Sequence, residues 1–153
     1  MSNHLALKKT LFEACSLFIE NRLIRIQKTI NEIQESLQSE TKNTAGDKHE
    51  TGRAMLQLER EKAGNQLLEI QKIKEALYKI DISKTANKVS LGSVVFTSND
   101  NYFIAISTGL LSADNTSFYA ISSHTPIGQL LMGKTVGDEV VFRGNKFKIK
   151  SIF

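Results

Sequence analysis

The sequence predicts an α+β chain in which two long antiparallel helices come first and a small β-rich domain follows. Three observations carry this. Apolar residues in the first half recur at helical spacing. Those in the second half alternate at strand spacing. Glycine is uneven: Gly46, Gly52 and Gly64 stand in the first half, while Gly92, Gly109, Gly128, Gly133, Gly137 and Gly144 stand in the second. Charge does not separate the halves, with 14 Lys+Arg against 12 Asp+Glu in residues 1–84 and 6 against 4 in residues 85–153. The expected division is a coiled-coil hairpin over 1–84 and a β-rich domain over 85–153.

The first helix has the clearest period. Ile19, Leu23, Ile26, Ile30, Ile33 and Leu37 step by four and three, an a/d heptad seam that extends back to Phe12. Glu20, Arg22, Arg25, Lys28, Glu32 and Glu35 fall between seam positions, as solvated flanks do. The second helix has a less regular seam: Leu56, Ala63, Leu67, Ile70, Ile73, Leu77 and Ile80, with Lys74 at an interrupted position. The polar stretch Ser39–Asp47 contains Gly46 and is expected to break the heptads. A connection this short makes the helices antiparallel neighbours, with a tip near residues 40–52. A helix of ~30 residues spans roughly 45 Å, so this reading puts the tip at the far end from the second half. Gly52 and Gly64 are each expected to cost about 1 kcal/mol within a helix, so that the segment near the tip frays.

Five strands are expected in the second half: Val94–Phe96, Tyr102–Ile106, Phe118–Ile121, Val140–Phe142 and Phe147–Ile152. Ser98–Asn101 and Gly144-Asn145 have turn chemistry. Ile127–Met132 reads as one short helix with Pro126 at its start and Gly133 at its end.

Other features bound the function. The chain has 153 residues and a formal charge of +4, too modest to require nucleic acid as a direct partner. The single Cys15 excludes an internal disulfide framework and fits a reducing cytoplasm; beside Phe12, Phe18 and Ile19 it reads as a buried thiol. No apolar run approaches the ~18–20 residues that cross a bilayer, and Met1-Ser2-Asn3-His4 does not begin a secretory signal. The expectation is therefore a cytoplasmic protein with no membrane partner. No CxxC, HExxH, Walker or Ser/His/Asp arrangement is present, which argues against an independent enzyme.

Asp47 and Glu50 are three residues apart, so on a helical turn they point to one side. This spacing is a variant of the capping box. His49 between them reads as a solvated tip histidine. Lys42, Lys48 and Arg53 read as solvated charges.

The run Ile121–Val140, ISSHTPIGQLLMGKTVGDEV, resembles the signature IS-x-x-SPIG-x-x-L-x-GK-x-x-GD-x-V of the Gre family of bacterial transcript cleavage factors, with Thr125 in place of the usual serine. Gly46–Thr51 is similar to that family's GD-x-x-EN tip, with Thr51 in place of asparagine; Ala54 stands where an aromatic is common. The resemblance implies an FKBP-like C-terminal domain, without isomerase activity, that docks on RNA polymerase at its secondary channel. It assigns docking to Ser123, His124, Thr125, Pro126, Ile127 and Gly128. It implies that Asp47 and Glu50 act at the polymerase active centre, helping to hold Mg²⁺ shared with the polymerase while the polymerase cuts backtracked RNA. Lys48 and Arg53 are then the tip contacts to the nascent RNA 3′ end. No cofactor is held tightly, the chain is not itself the enzyme, and it is expected to be a monomer. Two alternatives stand beside this: a channel regulator that does not stimulate cleavage, and a coiled-coil protein whose seams pair between chains.

Overall fold

A computed structural model describes the backbone of residues 2–42 and 46–153, and the side chains of 3–40 and 51–153. The chain forms two compact units: Ile19–Lys74, and Met1–Phe18 together with Glu75–Phe153. Helix α1 spans Ser2–Lys42 and helix α2 spans Gly46–Tyr78. The helical part is longer than the expected break at Ser39–Asp47 allows. Ser39–Lys42 contain neither glycine nor proline, and Glu40 and Lys42 are good helix formers, so α1 runs on through them.

Within the unit Ile19–Lys74 the expected seam is the buried one. Ile19, Ile26, Ile30 and Ile33 of α1 are buried, as are Ala63 and Ile70 of α2. Leu23, Leu37, Leu56 and Leu67 are half-buried. The helices run antiparallel. Lys74 Nζ lies 2.8 Å from Glu20 Oε1, and the Glu40 carboxylate lies 3.8 Å from where a Cβ on Gly52 would sit. As α1 advances from Glu20 to Glu40, the facing position on α2 retreats from Lys74 to Gly52. Burial of the seam dominates here: each isoleucine contributes about 1.5–3 kcal/mol, against about 0–1 kcal/mol for a half-exposed ion pair.

The other unit contains a six-stranded mixed sheet in the order β3-β4-β2-β1-β6-β5. Its strands are β1 Val94–Thr97, β2 Asn101–Ile104, β3 Gly109–Ala113, β4 Thr116–Ile121, β5 Glu139–Phe142 and β6 Asn145–Ile152, with helix α3 at Pro126–Leu131. Among the described residues there are six strands rather than the five expected. The extra one, Gly-Leu-Leu-Ser-Ala, has no β-branched or aromatic residue, and its partner β4 holds it. The β2–β4 pair is parallel and every other pair antiparallel.

Strand alternation sends Val95, Tyr102, Ile104, Phe147 and Ile149 to one face, where Ile127 and Leu131 of α3 complete a core. The opposite face carries an aromatic chain. Phe96 meets Phe118 and Phe153 edge-on at 5.5 Å, and Phe153 stacks on His4 at 3.5 Å. The start of α1 is thereby joined to the sheet. Lys8 is buried on the apolar side of α1, and its ammonium donates to the Lys84 carbonyl at 2.8 Å. Tyr78 hydrogen-bonds Ser16 at 2.7 Å.

Candidate functional site

Two segments carry the expected site residues. The first is the start of α2. Asp47, Lys48, His49 and Glu50 lie in its opening turns, so the helical backbone puts Asp47 and Glu50 on one side. Their side chains lie outside the described residues. α2 begins at Gly46, which puts Asp47 inside the first turn rather than at the cap position. Arg53 is half-buried and Thr51 exposed. The residue that sequence reading missed here is Glu40, whose carboxylate reaches across to Gly52. The seam register carried the signal, since an antiparallel pairing that sets Glu20 opposite Lys74 brings Glu40 near Gly52. Among the described residues, no group of three or more His, Cys, Asp or Glu side chains could hold a metal ion.

The second segment is the turn from β4 into α3, and here all six expected residues are brought together. Thr125 caps α3: its Oγ1 accepts from Gly128 N at 3.1 Å. The same hydroxyl donates to the Ser122 carbonyl at 2.7 Å. Ser122 Oγ accepts from His124 N at 3.1 Å, and Gln129 Nε2 donates to the His124 carbonyl at 3.0 Å. Ser107 Oγ accepts from Ser122 N at 3.1 Å and ties the turn to the loop between β2 and β3. Pro126, at the first helical position, presets φ where no amide donor is needed. Ile127 is buried in the sheet core and Gly128 is buried against the turn.

The roles divide. Thr125, Ile127 and Gly128 hold the turn in shape. His124 and Pro126 are exposed and Ser123 half-buried, so these three can meet a partner. Ser107 and Gln129 were not legible as site residues, because their hydrogen bonds depend on how the turn folds back.

The end of the same sequence run is structural. Thr135 N and Oγ1 donate to Asp138 Oδ2 at 2.8 and 3.1 Å. These bonds, the backbone one first, hold the Asp138 carboxyl below its ordinary range. Gly137, at φ +93°, makes the sharp turn between them.

No family model and no curated protein matches this chain. Among solved structures it is similar to the crystal structure of GreA factor homolog 1 (Gfh1) of Thermus thermophilus, at 19% identity and a TM-score of 0.34, over 88% of this chain and 92% of that one.

Proposed function

We propose that this chain is a transcription elongation factor that binds RNA polymerase at its secondary channel and stimulates cleavage of backtracked RNA. The observation that supports it most is the turn Ser122–Gly128. The start of a long run resembling the Gre signature folds into a capped turn in which His124 and Pro126 are exposed and Ser123 is half-buried. A docking element needs such a shape, because a rigid loop loses little freedom on binding. The sheet unit that carries it is read as FKBP-like in shape and without isomerase activity.

In this reading the polymerase is the enzyme and the chain supplies carboxylates. Asp47 and Glu50 are hard oxygen donors on one side of a helical turn, which fits Mg²⁺. Two carboxylates fall well short of a full ligand shell, which fits an ion shared with the polymerase. Asp47 and Glu50 would hold the ion, which would supply charge stabilisation to the oxygens exchanged in hydrolysis. Lys48 and Arg53, close by in the sequence, offset the negative charge of the tip and meet the phosphates of the nascent RNA 3′ end. The test is an arrested elongation complex incubated with and without the protein. Shortening of the RNA from its 3′ end only when the protein is present supports the reading.

One observation favours a second reading. Thr51 and Ala54 replace residues usual in the Gre tip. A regulator that occupies the channel without cleaving would bind polymerase and leave the RNA unshortened at every Mg²⁺ concentration.

A further inference from the structure

The sheet unit holds a cavity of about 360 Å³ for which the polymerase reading has no use. Its size is within the ~300–1,000 Å³ typical of small-ligand sites. The residues that decide its chemistry are Asp100, Tyr102, Tyr119, Phe142, Arg143 and Phe147.

Three rings make the floor. Tyr102 is central, with Tyr119 at 6.1 Å and Phe147 at 6.4 Å, each tilted 32° to it. Tyr119 is the open one of the three, 39% exposed, while Tyr102 and Phe147 belong to the core and keep 7% and 4% of their surface open. Aromatic faces are the negative part of the ring quadrupole. Asp100 adds a full negative charge at the rim, close enough to bear on Tyr102. Burial first, then Asp100 and Tyr119, push the Tyr102 phenol up to about 12.

The fourth ring already holds a cation. The Arg143 guanidinium lies 5.0 Å from the centre of Phe142. Arg143 has φ +52° in the turn between β5 and β6. Among the described residues the other non-glycine ones at positive φ are Asp114 and Asn115, types that adopt this conformation readily. Arg143 is thus, among the described residues, the one long side chain held left-handed, at the rim of the cavity.

We propose that this cavity binds an organic cation the size of an arginine guanidinium or a methylated ammonium, resting on Tyr102, Tyr119 and Phe147 with Asp100 as its counter-charge. Arg143 is then a like charge that limits affinity. An anionic ligand would reverse both roles, and a purely apolar ligand would be indifferent to both.

The test is an NMR titration of the full chain, following the aromatic resonances of the three floor residues. The probes are choline, its uncharged tert-butyl isostere, and a capped Gly-Arg-Gly peptide. The expected result is saturable shifts with a cation and binding of the isostere at least ~10-fold weaker. Tighter binding of choline points to a free small cation; tighter binding of the peptide points to a partner's side chain. Asp100 is exposed on a turn, so Asp100→Asn keeps the fold and weakens cation binding about 10-fold. Arg143→Gly suits the positive φ and strengthens it several-fold. Equal binding of the isostere, no saturable shift in the millimolar range, or weaker binding by Arg143→Gly overturns the proposal. These measurements use the isolated chain, so they stand or fall apart from the polymerase reading.

Discussion

The carbonyl oxygen of Ser122 occupies the space that a Cβ on Gly128 would need. The turn from β4 into α3 closes only because residue 128 has no side chain. Thr125 Oγ1 and Ser123 Cα crowd the same point, so the obstacle is fixed structure and not the end of a flexible chain.

Gly128→Ala should therefore destabilise the protein by about 1–3 kcal/mol, the range for overpacking a tight site, and weaken polymerase binding. Denaturant unfolding gives the first and a pull-down the second. Thr125→Ala should cost about 1 kcal/mol through the lost cap, while Thr125→Ser, which keeps the hydroxyl, should leave stability near the parent's. Equal stability of Thr125→Ala and the parent would show that the cap is not holding the turn.

The helical glycines should behave in the opposite way. At Gly64 a Cβ would meet only Arg60 Nη1 at 3.0 Å, the far end of a flexible side chain. At Gly52 the neighbour is Glu40 at an ordinary 3.8 Å. Helix propensity then decides, and Gly52→Ala and Gly64→Ala should each stabilise by about 0.5–1 kcal/mol. A lower melting temperature in either variant would mean that close packing of the two helices depends on the missing side chain.

Much of this fold is legible in the sequence, and the rest is not, for physical reasons. The α1 seam could be read because a four-three step has one structural meaning over many turns; Ile26, Ile30 and Ile33 are all buried. The Pro126 helix start was legible because proline at the start of a helix is a local signal, whereas the Thr125 cap emerged only from the folded turn. Strand β3 was hidden, since Leu110 and Leu111 earn their place from pairing with Tyr119 and Phe118 on β4. The Ser122–Gly128 turn was visible as a match of residues, but its closure depends on Ser107, fifteen positions away. Lys8 on an apolar face gave no hint that the Lys84 carbonyl receives its ammonium.

Lys8 has a pH signature. Burial, partly opposed by Asp81, holds its ammonium below the ordinary lysine range. The unfolded chain keeps the ordinary value, so between the two values the unfolded state binds more protons. Stability from this residue should then rise with pH across that window, from the lowered value up to about 10.4. Lys8→Met should flatten this alkaline slope in urea unfolding. Identical slopes in parent and variant would mean that the ammonium is not desolvated.

Asp138 should act on the acid side. Its carboxyl is held low by the Thr135 bonds, so its contribution is present above the ordinary carboxylate pKa and lost as pH falls through the lowered value. Asp138→Asn should reduce the loss of stability below about pH 4, where an ordinary aspartate titrates. An unchanged acid limb would place that sensitivity in other carboxylates.

The most direct test is the double variant Asp47→Asn with Glu50→Gln in arrested elongation complexes. The account predicts that the parent shortens backtracked RNA, and that the variant binds polymerase equally well but leaves the RNA intact. A double variant that shortens the RNA as fast as the parent would contradict it.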